Sequence, residues 1–312
     1  MRTGSFYVLV LVLSVQMTLA GEQTCFEQTD VFFAGELGYK EFRIPALVVT
    51  NGGTLLAFSE AGRTSSDYGD RDILFRRSTD LGNTWSEVQT IYDEGTSRCG
   101  SPGIVVDGST GRIHLLTGLN SRQAFHTYSD DGGLTWSPRR EITDVFESFR
   151  ARFDWTRLDT GPGVGIELTR GKYKGRFVLP IWLAVEEKQY RSGVIYSDDR
   201  GATWKPGGLI SEVRLNTNEC SVYEVVDGTL WMNIRSGDSR PKEQRQPFRR
   251  IATSCDGGLT WSKARYDKNL ISPTCLASTL RYSWPEEGRS RVLFANPADK
   301  KGRVNMTVRL SY

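Results

Sequence analysis

The sequence predicts an all-β protein with the architecture of a propeller, and three observations lead to that prediction. First, an octapeptide pattern, Ser-x-Asp-x-Gly-x-Thr-Trp, occurs four times, beginning at Ser78, Ser129, Ser197 and Ser254. Second, short strand-like segments alternate with turn signals along almost the whole chain. Third, no long stretch has helical periodicity, and only 148–152 could hold a single helical turn. Repeats spaced 51, 68 and 57 residues apart are closest in length to propeller blades.

The octapeptide, called the box below, has the chemistry of a β-hairpin turn. Its Ser and Asp oxygens can accept hydrogen bonds from backbone N–H groups a residue or two onward, which closes a turn. Its Gly can adopt the positive φ that other residues resist. The Thr-Trp pair then opens the next strand, where the indole can insert between neighbouring sheets. The four boxes are therefore predicted to be scaffold without catalytic chemistry.

The first residues are predicted to form a secretory signal peptide that ends at Ala20. Arg2 precedes an apolar run at 6–15, and small residues follow that run. A membrane anchor is the disfavoured alternative, because the run is shorter than the ~20 residues that span a bilayer. No later segment is long and apolar enough to span one. The sequence thus predicts a signal peptide at 1–20 and one propeller domain at 21–312. The protein would be secreted or sorted within the secretory pathway, including to lysosomes.

Composition argues against several classes of function. With 38% hydrophobic and 25% charged residues, the chain has the balance of a globular protein. A net charge of +3, without a basic run interleaved with aromatics, gives no reason to expect nucleic-acid binding. Five cysteines match no disulfide or zinc spacing, and two histidines are too few for a His-based metal site or a Ser/His/Asp triad. We expect no metal and no organic cofactor.

Charged segments between the boxes carry the signals for function. They are Phe-Arg-Ile-Pro at 42–45, a polar loop at 63–70, Glu219 at the start of a strand, Asn-Ile-Arg-Ser at 233–236, and Arg303 before the last strand. Together with the boxes, these segments resemble the sialidase (neuraminidase) family, specifically the non-viral exo-α-sialidases of bacterial and animal type. The resemblance covers essentially the whole chain after residue 20. It implies a six-bladed β-propeller of sialidase type.

The resemblance also implies roles for the arginines. Sialic acid carries a carboxylate on its anomeric carbon, and the planar, permanently charged guanidinium group can pair with both oxygens of a carboxylate. Arg43, Arg235 and Arg303 hold the positions of the three arginines that bind this group in the family. They lie far apart in the sequence, so they would come from different blades and meet on the propeller axis. Arg63 resembles the fourth arginine of the family site.

Two acidic residues match the catalytic groups of the family. Asp67 matches the acid/base residue that protonates the leaving oxygen and later activates water. Its loop is one residue shorter than expected between Arg63 and Asp67, so Asp70 and Asp72 stay open as alternatives. Glu219 matches the glutamate that polarises a tyrosine nucleophile, and Glu224 is the competing candidate.

The last residues affect the expected activity. In the family, the tyrosine nucleophile follows a further box and strand after the third arginine. Here Ser311 begins what resembles a fifth box, and Tyr312 holds its variable second position, so Tyr312 is not predicted to be the nucleophile. The expectation is a propeller truncated before its last blade. Asn305 begins the single glycosylation pattern that we noted, Asn-Met-Thr, which we expect to be unused.

The leading functional prediction is an exo-α-sialidase that removes terminal sialic acids, with retention, from glycoproteins, glycolipids or oligosaccharides. Turnover would be impaired in a chain that lacks the tyrosine. Two alternatives use the same residues. One is a non-catalytic, lectin-like propeller that binds sialic acid, and the other is a trans-sialidase that transfers sialic acid to another sugar.

Overall fold

The computed structural model describes residues 28–185, 189–211, 216–237 and 246–312. The chain divides into two compact units, Met1–Asp30 and Val31–Tyr312, and every strand described below belongs to the second. The predicted signal peptide at 1–20 lies outside the described residues. No described helix is long and apolar enough to cross a membrane.

The described strands form five sheets that follow one another along the chain as the blades of a β-propeller. Sheet 1 has the strands β1 (Glu41–Val49), β2 (Leu55–Gly62), β3 (Arg71–Ser78) and β4 (Gln89–Tyr92). Sheet 2 has β5 (Cys99–Val106), β6 (Ile113–Leu119), β7 (Gln123–Ser129), β8 (Arg140–Glu141) and β10 (Gly163–Val164), which is parallel to β5. Sheet 3 has β9 (Arg157–Asp159), β11 (Ile166–Glu167), β12 (Phe177–Val185), β13 (Gln189–Ser197) and β14 (Lys205–Leu209). Sheet 4 has β15 (Thr217–Glu224), β16 (Leu230–Ser236), β17 (Phe248–Ser254) and β18 (Arg265–Ile271). Sheet 5 has β19 (Ser278–Ser283), β20 (Arg291–Pro297) and β21 (Met306–Ser311). The all-β propeller prediction is confirmed, and a sixth blade stays a prediction.

Apolar residues that alternate along the strands hold neighbouring sheets face to face. Between sheets 1 and 2, Val48, Phe58 and Phe75 pack against Ile104 and Leu115. Similar buried clusters join sheet 2 to sheet 3 and sheet 3 to sheet 4. Because each buried Å² of apolar surface contributes about 25 cal/mol, these contacts are the main source of stability for the stack of sheets.

One α-helix, α1 (Thr143–Glu147), is described, and it lies just before the segment expected to hold a helical turn. The sequence allowed one helical turn at most at 148–152, and this segment forms hydrogen-bonded turns directly after α1. Burial explains the position of α1, because Phe146 of the helix and Phe149 of the turns enter the apolar cluster between sheets 2 and 3. The local sequence pattern did not reveal the helix itself.

The four boxes lie at the ends of β3, β7, β13 and β17, and this end of the sheets is called the box end below. In the second box, Asp131 accepts hydrogen bonds from the hydroxyl group of Ser129 at 2.8 Å and the backbone N–H of Thr135 at 2.9 Å. Gly133 has φ 85°, and Trp136 packs edge-on against Phe58 and Phe75 of the preceding sheet. The turn therefore satisfies its own polar groups and attaches one sheet to the sheet before it.

Candidate active site

The register of sheet 1 places Arg43 and the 63–70 loop at the end opposite to the boxes, called the site end below. On β2, Leu55 pairs with the box serine Ser78, whereas Gly62 pairs with Arg71 at the other end. Arg43 pairs with Glu60, near Gly62. The loop that joins β2 to β3 therefore begins and ends beside Arg43.

The same argument places the other candidate residues at the site end. In sheet 4, Leu230 pairs with the box serine Ser254, while Ser236 pairs with Thr217. Glu219 and Arg235 therefore lie at the end opposite to the box. In sheet 5, β21 ends at Ser311, so the 298–305 loop with Arg303 precedes this strand at its other end. Residues from three sheets thus share one end of the propeller.

Arg43 and Asp67 form an ion pair. Nη1 of Arg43 donates to Oδ1 of Asp67, and Glu41 lies 3.6 Å from the same nitrogen. The side chains of Arg43 and Asp67 are 33% and 63% exposed, so solvent or a ligand can reach the pair. The hydrogen bond from Arg43 is the main reason why the pKa of Asp67 lies below its usual value.

The backbone beside Arg43 is irregular. The pairing of β1 with β2 is interrupted between Arg43 and Ala46, and Ile44 has φ 54°. A positive φ is strongly disfavoured for a β-branched residue. Such outliers are common at functional sites, where the surrounding structure fixes them. The distortion is therefore consistent with a segment that holds the Arg43 side chain at the site end.

Arg63 lies beside the loop but contacts other acidic groups. Its Nη2 donates to the hydroxyl group of Tyr39 at 3.0 Å and to Oδ2 of Asp72 at 3.4 Å. Asp70 and Asp93 lie 3.6 and 3.7 Å from its guanidinium group. No described hydrogen bond or ion pair joins Arg63 to Asp67.

The three candidate acids of the loop differ in accessibility. The Asp72 side chain is fully buried and also accepts a hydrogen bond from Tyr39. Burial raises the pKa of Asp72. Asp70 is partly buried near Arg63. Asp67 is the most exposed of the three and the one that contacts Arg43, which supports it as the residue that meets a substrate.

Glu219 and Arg235 form the second pair of the site. Nη1 of Arg235 donates to Oε2 of Glu219 at 2.7 Å, and the two side chains are 23% and 10% exposed. The pairing of β15 with β16 shifts between Thr217 and Cys220, so Glu219 lies in a β-bulge. Bulges redirect side chains and are frequent beside active sites.

The competing residue, Glu224, has a structural role at the other end of β15. Its carboxylate accepts hydrogen bonds from the backbone N–H groups of Thr169 at 2.8 Å and Arg170 at 3.1 Å. It also accepts one from the hydroxyl group of Thr169. Glu224 therefore fastens sheet 4 to a loop of sheet 3.

A buried ionic network that the sequence did not predict links the two pairs. Arg98 donates to Glu60 of sheet 1 at 3.1 Å and to Asp159 of sheet 3 at 3.2 Å. Glu60 is close enough to Arg43, and Glu219 to Asp159, to act on it electrostatically. All three members of the network are buried. The network therefore joins sheets 1 to 3 beneath the candidate site.

Arg303 is exposed on the 298–305 loop. Asp299 orders this loop by accepting hydrogen bonds from the backbone N–H groups of Lys301 at 2.7 Å and Gly302 at 2.8 Å. In the part of the chain that the structure describes, no hydrogen bond or ion pair joins Arg303 to Arg43 or Arg235. The structure thus places Arg303 at the site end but does not show the three arginines in contact.

The described residues offer neither a metal site nor a tyrosine partner for Glu219. No group of three or more described His, Cys, Asp or Glu side chains could hold a metal ion. The four described cysteines, Cys99, Cys220, Cys255 and Cys275, are free thiols. Tyr312 stacks against Arg289 at the box end of sheet 5, away from Glu219. Within the described ranges, no tyrosine hydroxyl group is hydrogen-bonded to Glu219.

The chain is similar to known proteins in sequence and in fold. The model of the BNR repeat-like domain family matches residues 53–312. A sialidase from Micromonospora viridifaciens is 31% identical over 321 residues, which cover 93% of this chain and 47% of the relative. A sialidase from Paraclostridium sordellii is 32% identical over 304 residues, covering 86% of this chain and 70% of the relative. Among solved structures, the Hadza microbial sialidase Hz136 superposes with a TM-score of 0.74 at 29% identity, covering 89% of this chain and 57% of that one. The chain spans about half the length of the first curated relatives that it matches.

Proposed function

Because the chain belongs to the exo-α-sialidase family, with a BNR repeat-like domain over most of its length, we propose that it binds terminal sialic acids at the site end and hydrolyses their α-linkage. Two ion pairs at the same end of the propeller support the proposal most directly. One joins Arg43 to Asp67, and the other joins Arg235 to Glu219. The substrates would be sialylated glycoproteins, glycolipids or oligosaccharides. No metal or organic cofactor takes part, and the protein would enter the secretory pathway through residues 1–20.

In this proposal, binding begins with an exchange of anions on Arg43. The partner of Arg43 is Asp67, which lies on an exposed loop. The carboxylate of sialic acid has the same charge and can accept hydrogen bonds from the same guanidinium group. It can therefore displace Asp67, and Arg235 and Arg303 would complete its binding from sheets 4 and 5.

The exchange also prepares Asp67 for acid–base chemistry. The hydrogen bond from Arg43 lowers the pKa of Asp67 while the two side chains are paired. When Asp67 leaves Arg43 and lies near a substrate carboxylate, its pKa rises, because it has lost a positive neighbour and gained a negative one. A protonated Asp67 can donate its proton to the leaving oxygen, and the resulting carboxylate can later activate water.

Glu219 would activate a tyrosine nucleophile. A carboxylate nucleophile would be repelled by the negative group on the anomeric carbon, whereas a tyrosine stays neutral until its proton is withdrawn. Glu219 is well suited to accept that proton, because Arg235 fixes one of its oxygens at 2.7 Å. Attack by tyrosine and then by water gives net retention of configuration.

The proposal includes a sixth sheet, which would supply the tyrosine. The outer face of sheet 5 exposes a set of large apolar side chains, namely Leu280, Tyr282, Met306, Val308 and Leu310. The outer face of β1, in sheet 1, exposes Leu47 and Val49. Exposed apolar patches of this kind mark surfaces that pack against another element. Both surfaces support a further blade packed between sheets 1 and 5.

A cavity beside sheet 4 supports a fifth box in the same way. In sheets 1 and 2, the residue that follows the partner of the box serine fills the space in front of a glycine of the next box. A Cβ atom at Gly133 would meet Leu56, and one at Gly201 would meet His114. The equivalent residue of sheet 4 is Trp231. It lines a cavity of about 580 Å³ together with Ser311, where a fifth box would begin.

Binding of DANA, the unsaturated analogue of N-acetylneuraminic acid, tests the first step by calorimetry. We expect Arg43→Ala and Arg235→Ala each to weaken binding about tenfold or more, since each removes charge-assisted hydrogen bonds. Arg112→Ala is the control, because Arg112 forms its ion pair with Asp130 at the box end. Absence of binding by the unaltered chain, or an equal loss in Arg112→Ala, would contradict the proposal.

Turnover of a fluorogenic methylumbelliferyl sialoside tests the second step. We expect weak or no hydrolysis by the 312-residue chain and full hydrolysis by a version extended through a sixth sheet. Binding without hydrolysis in both forms would favour the lectin-like alternative. Sialyllactose formed from added lactose would show a trans-sialidase.

A further inference from the structure

Arg71 is a buried charged residue next to the candidate site, with no role in the proposed binding or hydrolysis. It begins β3, directly after the 63–70 loop, and its side chain is fully buried. Its Nε and Nη2 donate to the carbonyl oxygen of Ser66 at 3.1 and 2.8 Å. Nη2 also donates to the carboxylate of Glu41 on β1. Arg71 thus joins the loop to the strand that carries Arg43.

The guanidinium group of Arg71 can occupy this position because residue 62 is a glycine. A Cβ atom at Gly62 would lie 2.6 Å from Nη1 and 3.1 Å from Cζ of Arg71. Both distances are shorter than ordinary van der Waals contact. Any side chain at residue 62 would therefore displace the guanidinium group from Ser66 and Glu41, so Gly62 and Arg71 form one structural unit.

The two anchor points of Arg71 are adjacent to the two residues of the exposed ion pair. Ser66 immediately precedes Asp67 in the loop, and Glu41 lies 3.6 Å from Nη1 of Arg43. Movement of Arg71 would therefore change the position of both partners. After the larger effect of Arg43, the charge of Arg71 also contributes to lowering the pKa of Asp67.

We propose that Arg71, accommodated by Gly62, is a positioning residue that holds the Asp67 loop against Arg43 and so sets the geometry in which the site receives a sialic acid carboxylate. The proposal rests on the proposed function for its ligand. Arg71 itself does not touch the substrate, because its side chain is buried beneath the loop.

The test compares Arg71→Met, Arg71→Lys and Gly62→Ala in the full 312-residue chain. Arg176→Met is the matched control. Arg176 is also buried, but it lies at the box end. Like Arg71, it donates to a carboxylate, that of Asp198 at 2.7 Å, and to a backbone carbonyl oxygen, that of Gly257 at 3.1 Å. Hydrogen–deuterium exchange reports the order of the 63–70 loop, and calorimetry reports DANA affinity.

We expect Arg71→Met to increase exchange severalfold in 63–70, because two hydrogen bonds to the loop are lost. It should also weaken DANA binding about tenfold, because the site loses a buried positive charge and Glu41, released from Arg71, can pair with Arg43, from which it lies 3.6 Å away. Arg71→Lys should weaken DANA binding about threefold, because lysine keeps the positive charge but lacks the planar guanidinium group that donates to two partners at once. Gly62→Ala should resemble Arg71→Lys. Arg176→Met should increase exchange at the box end while leaving DANA affinity and the loop unchanged.

The outcomes distinguish this inference from the proposed function. If the unaltered chain does not bind DANA, the proposed function fails, and exchange in 63–70 still decides whether Arg71 orders the loop. If the unaltered chain binds DANA while Arg71→Met and Gly62→Ala change neither affinity nor exchange in the loop, the role of Arg71 is refuted. Equal effects of Arg71→Met and Arg176→Met on affinity would refute it as well.

Discussion

The box end and the site end of the sheets are held together by different interactions. At the box end, the same short-range hydrogen bonds recur in every box, as between Ser129, Asp131 and Thr135. At the site end, charged groups distant in the sequence meet, as Arg98 does with Glu60 and Asp159. The box end therefore depends on local turn chemistry, whereas the site end depends on how several blades are assembled.

The buried pairs of the two ends show the same contrast. Near the box end of sheet 2, His114 and His126 are joined by a hydrogen bond of 2.9 Å between ring nitrogens. Burial lowers the pKa of His114 to about 4 and that of His126 to about 3, so both rings are neutral near pH 7. At the site end, the buried pair is the ion pair of Glu219 with Arg235. The two histidines therefore make the scaffold at the box end sensitive to acid.

The largest expected effect is a fall in the free energy of unfolding as the pH is lowered. Unfolded histidines bind protons below about pH 6.5, whereas the folded pair stays neutral until the pH approaches the lowered values. The unfolded state therefore binds more protons in this window, and stability falls as the pH falls. We expect a loss of roughly 4 kcal/mol between about pH 7 and pH 5 for the two histidines together, measured by denaturant unfolding.

A variant based on sheet 1 isolates this effect. In sheet 1, Leu56 and Phe75 occupy the positions of His114 and His126. His114 and Leu56 each follow the residue that pairs with the box serine, and His126 and Phe75 each lie three residues before that serine. The double variant His114→Leu/His126→Phe should retain packing and lose most of the pH dependence above about pH 5. An unchanged dependence in the double variant would show that other groups destabilise the protein in acid.

The next effect is expected from the buried pair of the site. Glu219→Ala leaves the partly buried Arg235 without its carboxylate and close to the buried Arg249, whose own pKa is affected by both residues. We expect the free energy of unfolding to fall by about 3 kcal/mol. Asp130→Ala removes the carboxylate of the exposed pair with Arg112 and should cost less than about 1 kcal/mol. Similar losses in the two variants would show that Glu219 is effectively solvated.

The difference between the two ends also explains what the sequence could predict. The boxes were recognisable because each one contains both partners of the hydrogen bonds that close its turn, as Asp131 and Thr135 are in the second box. The propeller followed from their repetition. The positions of Arg43, Asp67 and Glu219 followed from short motifs that resemble a known family, and the structure brings Arg43 to Asp67 and Arg235 to Glu219.

The network that supports the site was not predictable in the same way. Arg98 and Asp159 are 61 residues apart, and nothing in the local pattern of either indicates the other. Arg71 lies in a run that reads as an ordinary strand, and its importance depends on the absence of a side chain at Gly62. Such relations depend on tertiary contacts. An arginine that pairs with a glycine on the neighbouring strand, as Arg71 pairs with Gly62, is the signal that could have drawn attention to Arg71.

The smallest expected effect is on ligand affinity, when the exposed ion pair of Arg43 with Asp67 is removed. The same variant distinguishes ligand binding from catalysis. Asp67→Asn removes the anion that competes with a ligand for Arg43. We expect DANA affinity to rise about fivefold, since exposed ion pairs contribute up to about 1 kcal/mol. Hydrolysis by a version of the chain with a sixth sheet should be lost, because asparagine can neither donate nor accept the proton.

Asp70→Asn is the matched control, because Asp70 lies near Arg63 and not near Arg43. It should leave DANA affinity and turnover close to those of the unaltered protein. Loss of turnover in Asp70→Asn with retention in Asp67→Asn would instead identify Asp70 as the acid. Weaker DANA binding in Asp67→Asn would mean that Asp67 contributes to ligand binding and does not compete for Arg43, and the exchange of anions would have to be abandoned.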